Sequence, residues 1–183
     1  MQVVSSYGVE IKKQNIPIRH TLHIYRQAVG YLIRVYEESW EELSRIVNLQ
    51  KRFNAAEHLV HSTKKNRARY DFDQRFPKMP SYLRRSAIQH ALGSVSSYET
   101  RLELWKQKKL AGKPKLVYEN HAMPVFYRDV MYKEAEDQAD IAFLKLYDGH
   151  DWKWFSVNLL HTDMEYLRKN WSGVKSSAPT LEK

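Results

Sequence analysis

Cysteine is absent from all 183 positions of the sequence. Disulfide bonds and thiolate zinc sites are therefore excluded, and the composition fits a reducing compartment. The six glycines are scattered, so the sequence contains no glycine-rich phosphate-binding loop. No hydrophobic run approaches the roughly 20 residues that cross a bilayer, and the first residues do not follow the basic-then-apolar order of a secretory signal. We expect neither a membrane span nor secretion.

Patterns typical of catalysis or metal binding are also scarce. No serine or histidine stands in a nucleophile motif. Histidines occur three residues apart at His20/His23 and at His58/His61, a spacing that can share a metal, but the sequence offers no evident third ligand. We therefore predict no catalytic residue, no metal and no cofactor. A metal enzyme built on the His58/His61 pair is the one enzymatic alternative.

Positive charge is abundant and is concentrated in the middle of the chain. The formal net charge is +9, from 30 Lys and Arg against 21 Asp and Glu. Residues 51–115 contain 16 basic and 5 acidic residues, while the flanking segments together carry a slight negative charge. A concentrated excess of this kind favours a surface that meets phosphate groups. A lysine-rich surface that is only solvated is the alternative.

The strongest secondary-structure signal lies in residues 75–109. Pro80 ends what precedes it, and Ser81 has a side chain suited to capping a helix. Apolar residues then recur at gaps of three and four, which predicts one long helix with a buried face. These apolar residues are Leu83, Ala87, Ala91, Val95, Tyr98, Leu102 and Trp105. The side chains predicted to face outward are Arg84, Arg85, Gln89, Arg101, Lys106 and Lys108.

Other helices precede and follow this one. Residues 20–47 repeat apolar side chains at the same spacing and predict a long helix, whose outer face is acidic at residues 37–42. A shorter helix is predicted for residues 48–65. Residues 161–171 predict a last short helix.

The remaining periodic segments predict β-strands. Residues 2–11, 125–133 and 139–159 are rich in β-branched and aromatic residues that alternate with polar ones. Within the last segment, Asp148-Gly149 is typical of a hairpin turn. The order of strand, helices and strands predicts an α+β fold: a small antiparallel sheet or barrel built from both ends of the chain, with a helical module inserted.

Residues 64–76 interleave basic and aromatic side chains without a helical or strand period. Such a loop would let Tyr70 and Phe72 stack on bases while neighbouring Lys and Arg neutralise phosphates. The alternative is a solvated connection whose aromatic rings pack into the core.

The sequence PSYLRRSAIQHALGSVSSYETRLELWK, residues 80–106, resembles a helix near the N-terminus of the TnpB family. That family comprises insertion-sequence OrfB transposases, which are RNA-guided DNA endonucleases related to type V CRISPR effectors. The resemblance extends to VVSSYGVEIKK…RHTLHIYRQAVGYLIRVYEESW before this helix and to MPVFYRDVMYK and ADIAFLKLYDGHDWKWFSVNL after it.

In the TnpB family, the strands form an oligonucleotide-binding-like wedge barrel and the inserted helices form a recognition lobe. The resemblance therefore implies a wedge strand at residues 1–16, a helical recognition lobe at 17–115 and an incomplete remainder of the barrel at 116–183. The RuvC nuclease and the zinc ribbon of the family have no counterpart in this sequence. The resemblance thus covers the recognition half alone.

The resemblance also implies residue roles. Arg85 and Gln89 correspond to the helix that reads the transposon-adjacent DNA motif, and Gln89 suits paired hydrogen bonds with adenine. Arg128 and Asp129 fall near further motif-contacting positions. A set of basic residues would hold the guide–target heteroduplex by its backbone, while base pairing reads the sequence. That set is Lys64, Lys65, Arg67, Arg69, Arg84, Arg101 and Lys106.

From these observations we expect the nucleic-acid-binding part of a TnpB-like protein, without nuclease activity of its own. Its partners would be guide RNA, target DNA and a separate or missing RuvC nuclease part, with no membrane. The resemblance implies a bacterial cytoplasmic protein that associates with the nucleoid when it is bound to DNA. The alternative is an adaptor or inhibitor that binds another protein through the acidic helix face and the aromatic C-terminal sheet.

Overall fold

The structure is a computed structural model, which describes residues 6–12, 15–119, 121–135, 138–171 and 178–182. Five helices come first: α1 (Ile18–Glu38), α2 (Trp40–Ser44), α3 (Leu49–Val60), α4 (Phe72–Arg75) and α5 (Ser81–Lys106). Three strands and a helix follow: β1 (Tyr132–Glu134), β2 (Ile141–Tyr147), β3 (Trp152–Asn158) and α6 (His161–Asn170). The predicted mixture of helices and strands is confirmed.

Helix α1 contacts α2, α5 and β2 because apolar residues occupy several of its faces. The predicted helix over residues 20–47 is interrupted at Ser39, which is 5% exposed. The Ser39 hydroxyl lies 3.2 Å from the hydroxyl of Tyr70, so the buried polar side chain has a partner outside the helix. Serine readily exchanges helical bonding for such contacts, and α2 starts on the next residue.

Helix α3 is shorter than predicted and is capped by its preceding residue. The side-chain oxygen of Asn48 accepts a 2.9 Å hydrogen bond from the backbone N–H of Lys51. The helix ends at Val60, and residues 61–71 form a loop in which Thr63 and Asn66 bridge. This loop leads into the single turn of α4.

Helix α5 confirms the long helix predicted from the 75–109 region. It begins at Ser81, and its buried side rests on α1. The Tyr25 hydroxyl lies 2.9 Å from Ser86 Oγ and 2.8 Å from His90 Nδ1. Burial raises the pKa of Tyr25 and lowers the pKa of His90, so both groups are favoured in their neutral forms. This contact fixes which side of α5 remains outside.

The three strands form an antiparallel sheet in the order β1-β2-β3. The predicted hairpin is confirmed between β2 and β3. Gly149 has φ 106°, which favours glycine, and Asp148 accepts hydrogen bonds from the backbone N–H groups of His150 and Asp151. Among the described residues the sheet is open, and the closed barrel that we predicted is not formed.

Segments near both ends of the described chain form isolated antiparallel bridges. Ile11 bridges Leu159, and the Leu160 N–H donates to the Glu10 carbonyl over 2.8 Å. Residues 2–5 of the strand predicted over residues 2–11 lie outside the described residues, and residues 6–11 form only the isolated bridge at Ile11 rather than a strand. Near the C-terminus, Val125 and Thr180 bridge in the same antiparallel sense.

A continuous hydrophobic core joins the helices to the sheet. The link is also polar, since the Thr21 hydroxyl of α1 accepts a 2.8 Å hydrogen bond from the Tyr147 N–H of β2. Helix α5, the sheet and the loop before α4 are therefore held in defined positions around α1. None of the helices in the described part of the chain is long and apolar enough to cross a bilayer.

Candidate nucleic-acid interface

The exposed face of α5 presents Tyr82, Arg85 and Gln89 to solvent. Their spacing of three and four residues places them on one side of the helix, about a quarter of a turn from the side that Ser86 and His90 turn toward α1. Arg101 is also exposed, about 24 Å beyond Arg85 along the helix axis at 1.5 Å per residue, but at about 100° per residue it lies about 160° around the helix from Arg85. Arg101 is therefore on another side of α5.

The turn at residues 127–129 packs beside the start of this face. The rings of Tyr82 and Tyr127 lie 5.1 Å apart at an interplanar angle of 46°. Asp129 adopts a φ of 63°, and its N–H donates to the Tyr132 carbonyl over 2.7 Å. The two pairs of residues expected at the DNA motif, one on α5 and one on this turn, therefore sit on adjacent elements.

Arg128 and Arg85 are both exposed, and each makes weak contacts with a carboxylate of the chain. Arg128 donates to Glu134 over 2.9 Å, and its guanidinium lies 5.9 Å from the centre of the Tyr132 ring. Arg85 lies 3.7 Å from Glu57, and its side chain is 47% exposed. The Arg128–Glu134 pair is exposed on both sides and contributes at most about 1 kcal/mol, so a phosphate can replace its carboxylate. The 3.7 Å separation of Arg85 from Glu57 is longer than a hydrogen bond, which leaves the Arg85 donors available as well.

Arg84 does not face outward, contrary to the prediction. Its side chain is only 11% exposed, and it lies 3.6 Å from Glu57 and 3.8 Å from Asp73. Its Nε is buried and has no hydrogen-bond partner among the residues that the structure describes. The helical period places Arg84 one position before the outward-facing Arg85, on the border that α3 and α4 cover. Arg84 is therefore part of the packing between these helices rather than of the surface.

The loop at residues 61–71 carries free positive charge. Lys64, Lys65 and Arg67 are exposed, and none of them makes an ion pair with a residue that the structure describes. Arg69 is exposed as well but lies 3.2 Å from Glu42. The first three side chains are available to phosphate without breaking an existing contact.

Asp73 connects this loop to α5. Its Oδ2 lies 2.7 Å from His61 Nδ1 at the start of the loop, and its Oδ1 lies 3.8 Å from Arg84 in the first turns of α5. Glu57 contacts Arg84 and Arg85 from the same side. The basic loop and the first exposed arginine of α5 are thus held at the same end of the helical layer.

The two aromatic residues expected to stack on bases are not equally accessible. Tyr70 is half-buried, and its hydroxyl donates to Glu38 over 3.3 Å. Phe72 is 0% exposed and packs on Phe76 at 4.8 Å between ring centroids. Phe72 is therefore unavailable to a base in this structure. It packs into the core, as the alternative interpretation of this loop predicted.

A shallow polar pocket of about 250 Å³ lies under the loop. Arg67, Arg69, Asp71 and Asp73 are among its lining residues. A hydrogen bond from Tyr31, with a second from Arg75, lowers the pKa of Asp71 and keeps it ionised. An anion inside the pocket would meet these carboxylates, whereas Lys64 and Lys65 are not among the residues that line it.

The remaining sequence candidates are distributed along the same helix. Lys106 lies 3.9 Å from Glu103 on its own helix. Lys108 and Lys109 follow in the exposed segment after α5. Sequence reasoning did not single out Tyr82 and Tyr127 as parts of the site. The position of Tyr82 three residues before Arg85 could have indicated that the two side chains share a helix face.

The alternatives to nucleic-acid binding receive less support from the geometry. In the described part of the chain, no group of three or more His, Asp and Glu side chains could hold a metal. The acidic face expected to bind a protein is largely engaged within the chain. Hydrogen bonds reach Glu37 from Tyr118, Glu38 from Tyr70, Glu41 from Arg45 and Glu42 from Arg69.

Comparisons with known proteins give one match. The model of the family described as the Aq_aa04 family matches residues 5–148 of the 183. No curated protein and no solved structure matches the chain. The match spans all of α1 to α5 and the first two strands, so it includes every residue of the surface described above.

Proposed function

The chain belongs to the Aq_aa04 family, and we propose that it binds nucleic acid without catalysing a reaction of its own. The contact surface is the exposed face of α5, flanked by the turn at residues 127–129 and by the loop at residues 61–71. One observation carries the proposal: the Tyr82–Tyr127 contact places the turn of Arg128 against the helix that carries Arg85 and Gln89.

The side chains on this surface suit the two parts of a nucleic-acid contact. Arginine and glutamine on one exposed helix face can make paired hydrogen bonds to guanine and adenine in a major groove. Lysines on the neighbouring loop neutralise phosphates and carry no sequence information. Arg85 and Gln89 would therefore supply base preference, and Lys64 and Lys65 would supply affinity.

The finer form of the proposal follows the resemblance to the TnpB family. In that form the chain holds a guide RNA and its heteroduplex with target DNA, and reads a short duplex motif next to the target. The open three-stranded sheet would be the counterpart of the wedge, and further strands would be needed to close a barrel. A separate RuvC nuclease part would then supply cleavage. This form predicts that a discrete RNA copurifies with the chain.

Salt dependence tests the proposal as a whole. The measurement is a mobility-shift titration of the full chain with a 30-base-pair DNA duplex and with a stem–loop RNA, at 50 mM and 200 mM salt. If about six phosphates are neutralised, affinity should fall by about three decades between the two conditions. Binding that is absent, or that does not change with salt, would overturn the proposal.

Single substitutions separate motif reading from backbone contact. Arg85→Ala and Gln89→Ala should change the preference among duplex sequences, whereas Lys65→Ala should weaken binding to all sequences equally. Lys169→Ala on α6, remote from this surface in sequence, is the control and should change neither property. Equal, sequence-independent losses from Arg85→Ala, Gln89→Ala and Lys65→Ala would contradict motif reading while leaving nucleic-acid binding in place.

A further inference from the structure

The outer face of the three-stranded sheet exposes two large aromatic side chains. Phe143 on β2 is 36% exposed and Trp154 on β3 is 38% exposed. Phe143 pairs with Ser156 and Lys145 pairs with Trp154, so the two rings are diagonal neighbours across adjacent antiparallel strands. Apolar rings of this size are usually buried, and two of them together on a solvent-facing sheet need an explanation.

Lysine side chains surround these rings. Lys133 on β1 is paired with Phe143, and its Nζ lies 4.7 Å from the centre of the Trp154 ring on β3. The ammonium therefore crosses the face of the sheet, which shows that all three side chains point the same way. Lys145 is on the same face, because it pairs directly with Trp154. No acidic residue occupies a strand position on this face among the described residues.

We propose that this face is a second nucleic-acid surface, specific for single strands, on which bases stack on Phe143 and Trp154 while Lys133 and Lys145 hold the phosphates. The positive charge and the lack of carboxylates match a polyanion. Exposed aromatic rings offer π-faces to unpaired bases, whereas the bases of a duplex are already stacked on one another. A base arriving over Trp154 takes the place of the Lys133 ammonium, which moves to the adjoining phosphate.

This inference deepens the proposed function, on which it rests for its class of ligand, but it concerns different residues and a different form of the ligand. The α5 surface is proposed to read duplex, and the sheet surface to hold unpaired nucleotides. Together they would suit a nucleic acid with a duplex next to an open strand. The two proposed surfaces can therefore be tested and refuted independently of each other.

Fluorescence anisotropy of the full chain with labelled dT20 and with a labelled 20-base-pair duplex tests the inference. Phe143→Ala and Trp154→Ala should each lower the affinity for dT20 by about 5- to 150-fold, the range of one stacked base, and should change duplex affinity less than about twofold. Phe143→Tyr and Trp154→Phe should retain most of the affinity because they keep a ring. Tyr166→Ala removes an exposed ring on α6 and is the control.

Charge variants provide a second measurement that leaves the rings of Phe143 and Trp154 unchanged. Lys133→Gln and Lys145→Gln should each reduce the salt slope for dT20 by about 0.7. Lys153→Gln is the matched control, because Lys153 alternates to the other face of β3 and lies 2.6 Å from Asp148. If the alanine variants do not fold, these lysine variants still decide the question.

The outcomes separate the two proposals. If dT20 affinity is unaffected by the ring and lysine variants, or if dT20 and duplex affinities fall together, the sheet surface is refuted. A ring-dependent dimer in light scattering, without dT20 binding, would make the face a protein interface and would also refute it. Arg85→Ala combined with Gln89→Ala should lower duplex affinity alone. If this double variant binds duplex as tightly as the unmodified chain while dT20 binding remains ring-dependent, the α5 surface is refuted and the sheet surface is not.

Discussion

Arg84→Met removes the cation that lies between Glu57 and Asp73. Removing one partner of a fully buried ion pair costs about 3–5 kcal/mol. The Asp73 side chain is 40% exposed, and the Arg84 Nε already lacks a partner among the described residues, so we expect a smaller loss of about 2 kcal/mol in the free energy of unfolding. Methionine keeps most of the aliphatic stem, and the loss therefore reports the guanidinium rather than a cavity.

Arg85→Met is a matched control on the adjacent residue. The Arg85 side chain is 47% exposed and lies 3.7 Å from Glu57, so its removal should cost no more than about 1 kcal/mol. Urea unfolding followed by circular dichroism measures both variants. The order reverses for duplex binding, where Arg85→Met should lower the salt slope by about 0.9 and Arg84→Met should leave it unchanged. If Arg84→Met is as stable as the unmodified chain, or lowers the slope as Arg85→Met does, the structural role of Arg84 is refuted.

Three further perturbations test the fold that positions the surfaces. Phe72→Ala should lower the free energy of unfolding by about 3–5 kcal/mol, because the ring is 0% exposed, and a loss under 1 kcal/mol in urea unfolding would contradict its burial. Gly149→Ala should cost about 1–3 kcal/mol in the same assay, because a side chain is strained at φ 106°, and a neutral effect would contradict the hairpin geometry. Burial lowers the pKa of His90 below its ordinary value of 6.5, so the unfolded chain protonates first and stability should fall as the pH drops below about 6.5. Thermal melts from pH 7.5 to 5 should show a weaker pH dependence for His90→Gln, and an unchanged dependence would contradict this role of His90.

Helical periodicity was sufficient to predict the principal elements. The three-and-four spacing located α1 and α5, and Asp148-Gly149 located the hairpin, because each signal depends on local side-chain chemistry. The break at Ser39 could not be predicted, since it depends on a hydroxyl of Tyr70 that is 31 residues away. Closure into a barrel was also wrong for the described residues, because the number of strands in a sheet is set by long-range pairing.

The candidate site was predictable at the level of segments and less so at the level of side chains. The basic loop and the outer face of α5 were both located from composition and period. Arg84 and Phe72 were assigned to the surface, yet both are covered, because a border position or a loop aromatic is buried only when another element packs over it. The neighbouring turn at residues 127–129 was included through the resemblance alone, and the Tyr82–Tyr127 contact that joins it to α5 depends on tertiary packing.

Lysine footprinting tests the nucleic-acid surface most directly. The full chain is acetylated with a water-soluble reagent, with and without a 30-base-pair duplex and a stem–loop RNA at low salt, and each modified lysine is quantified by mass spectrometry. We expect nucleic acid to protect Lys64, Lys65 and Lys106 and to leave Lys12 and Lys169 as reactive as before. Protection confined to Lys12 and Lys169, or no protection of any lysine, would contradict the claim that the α5 face and its neighbouring loop bind nucleic acid.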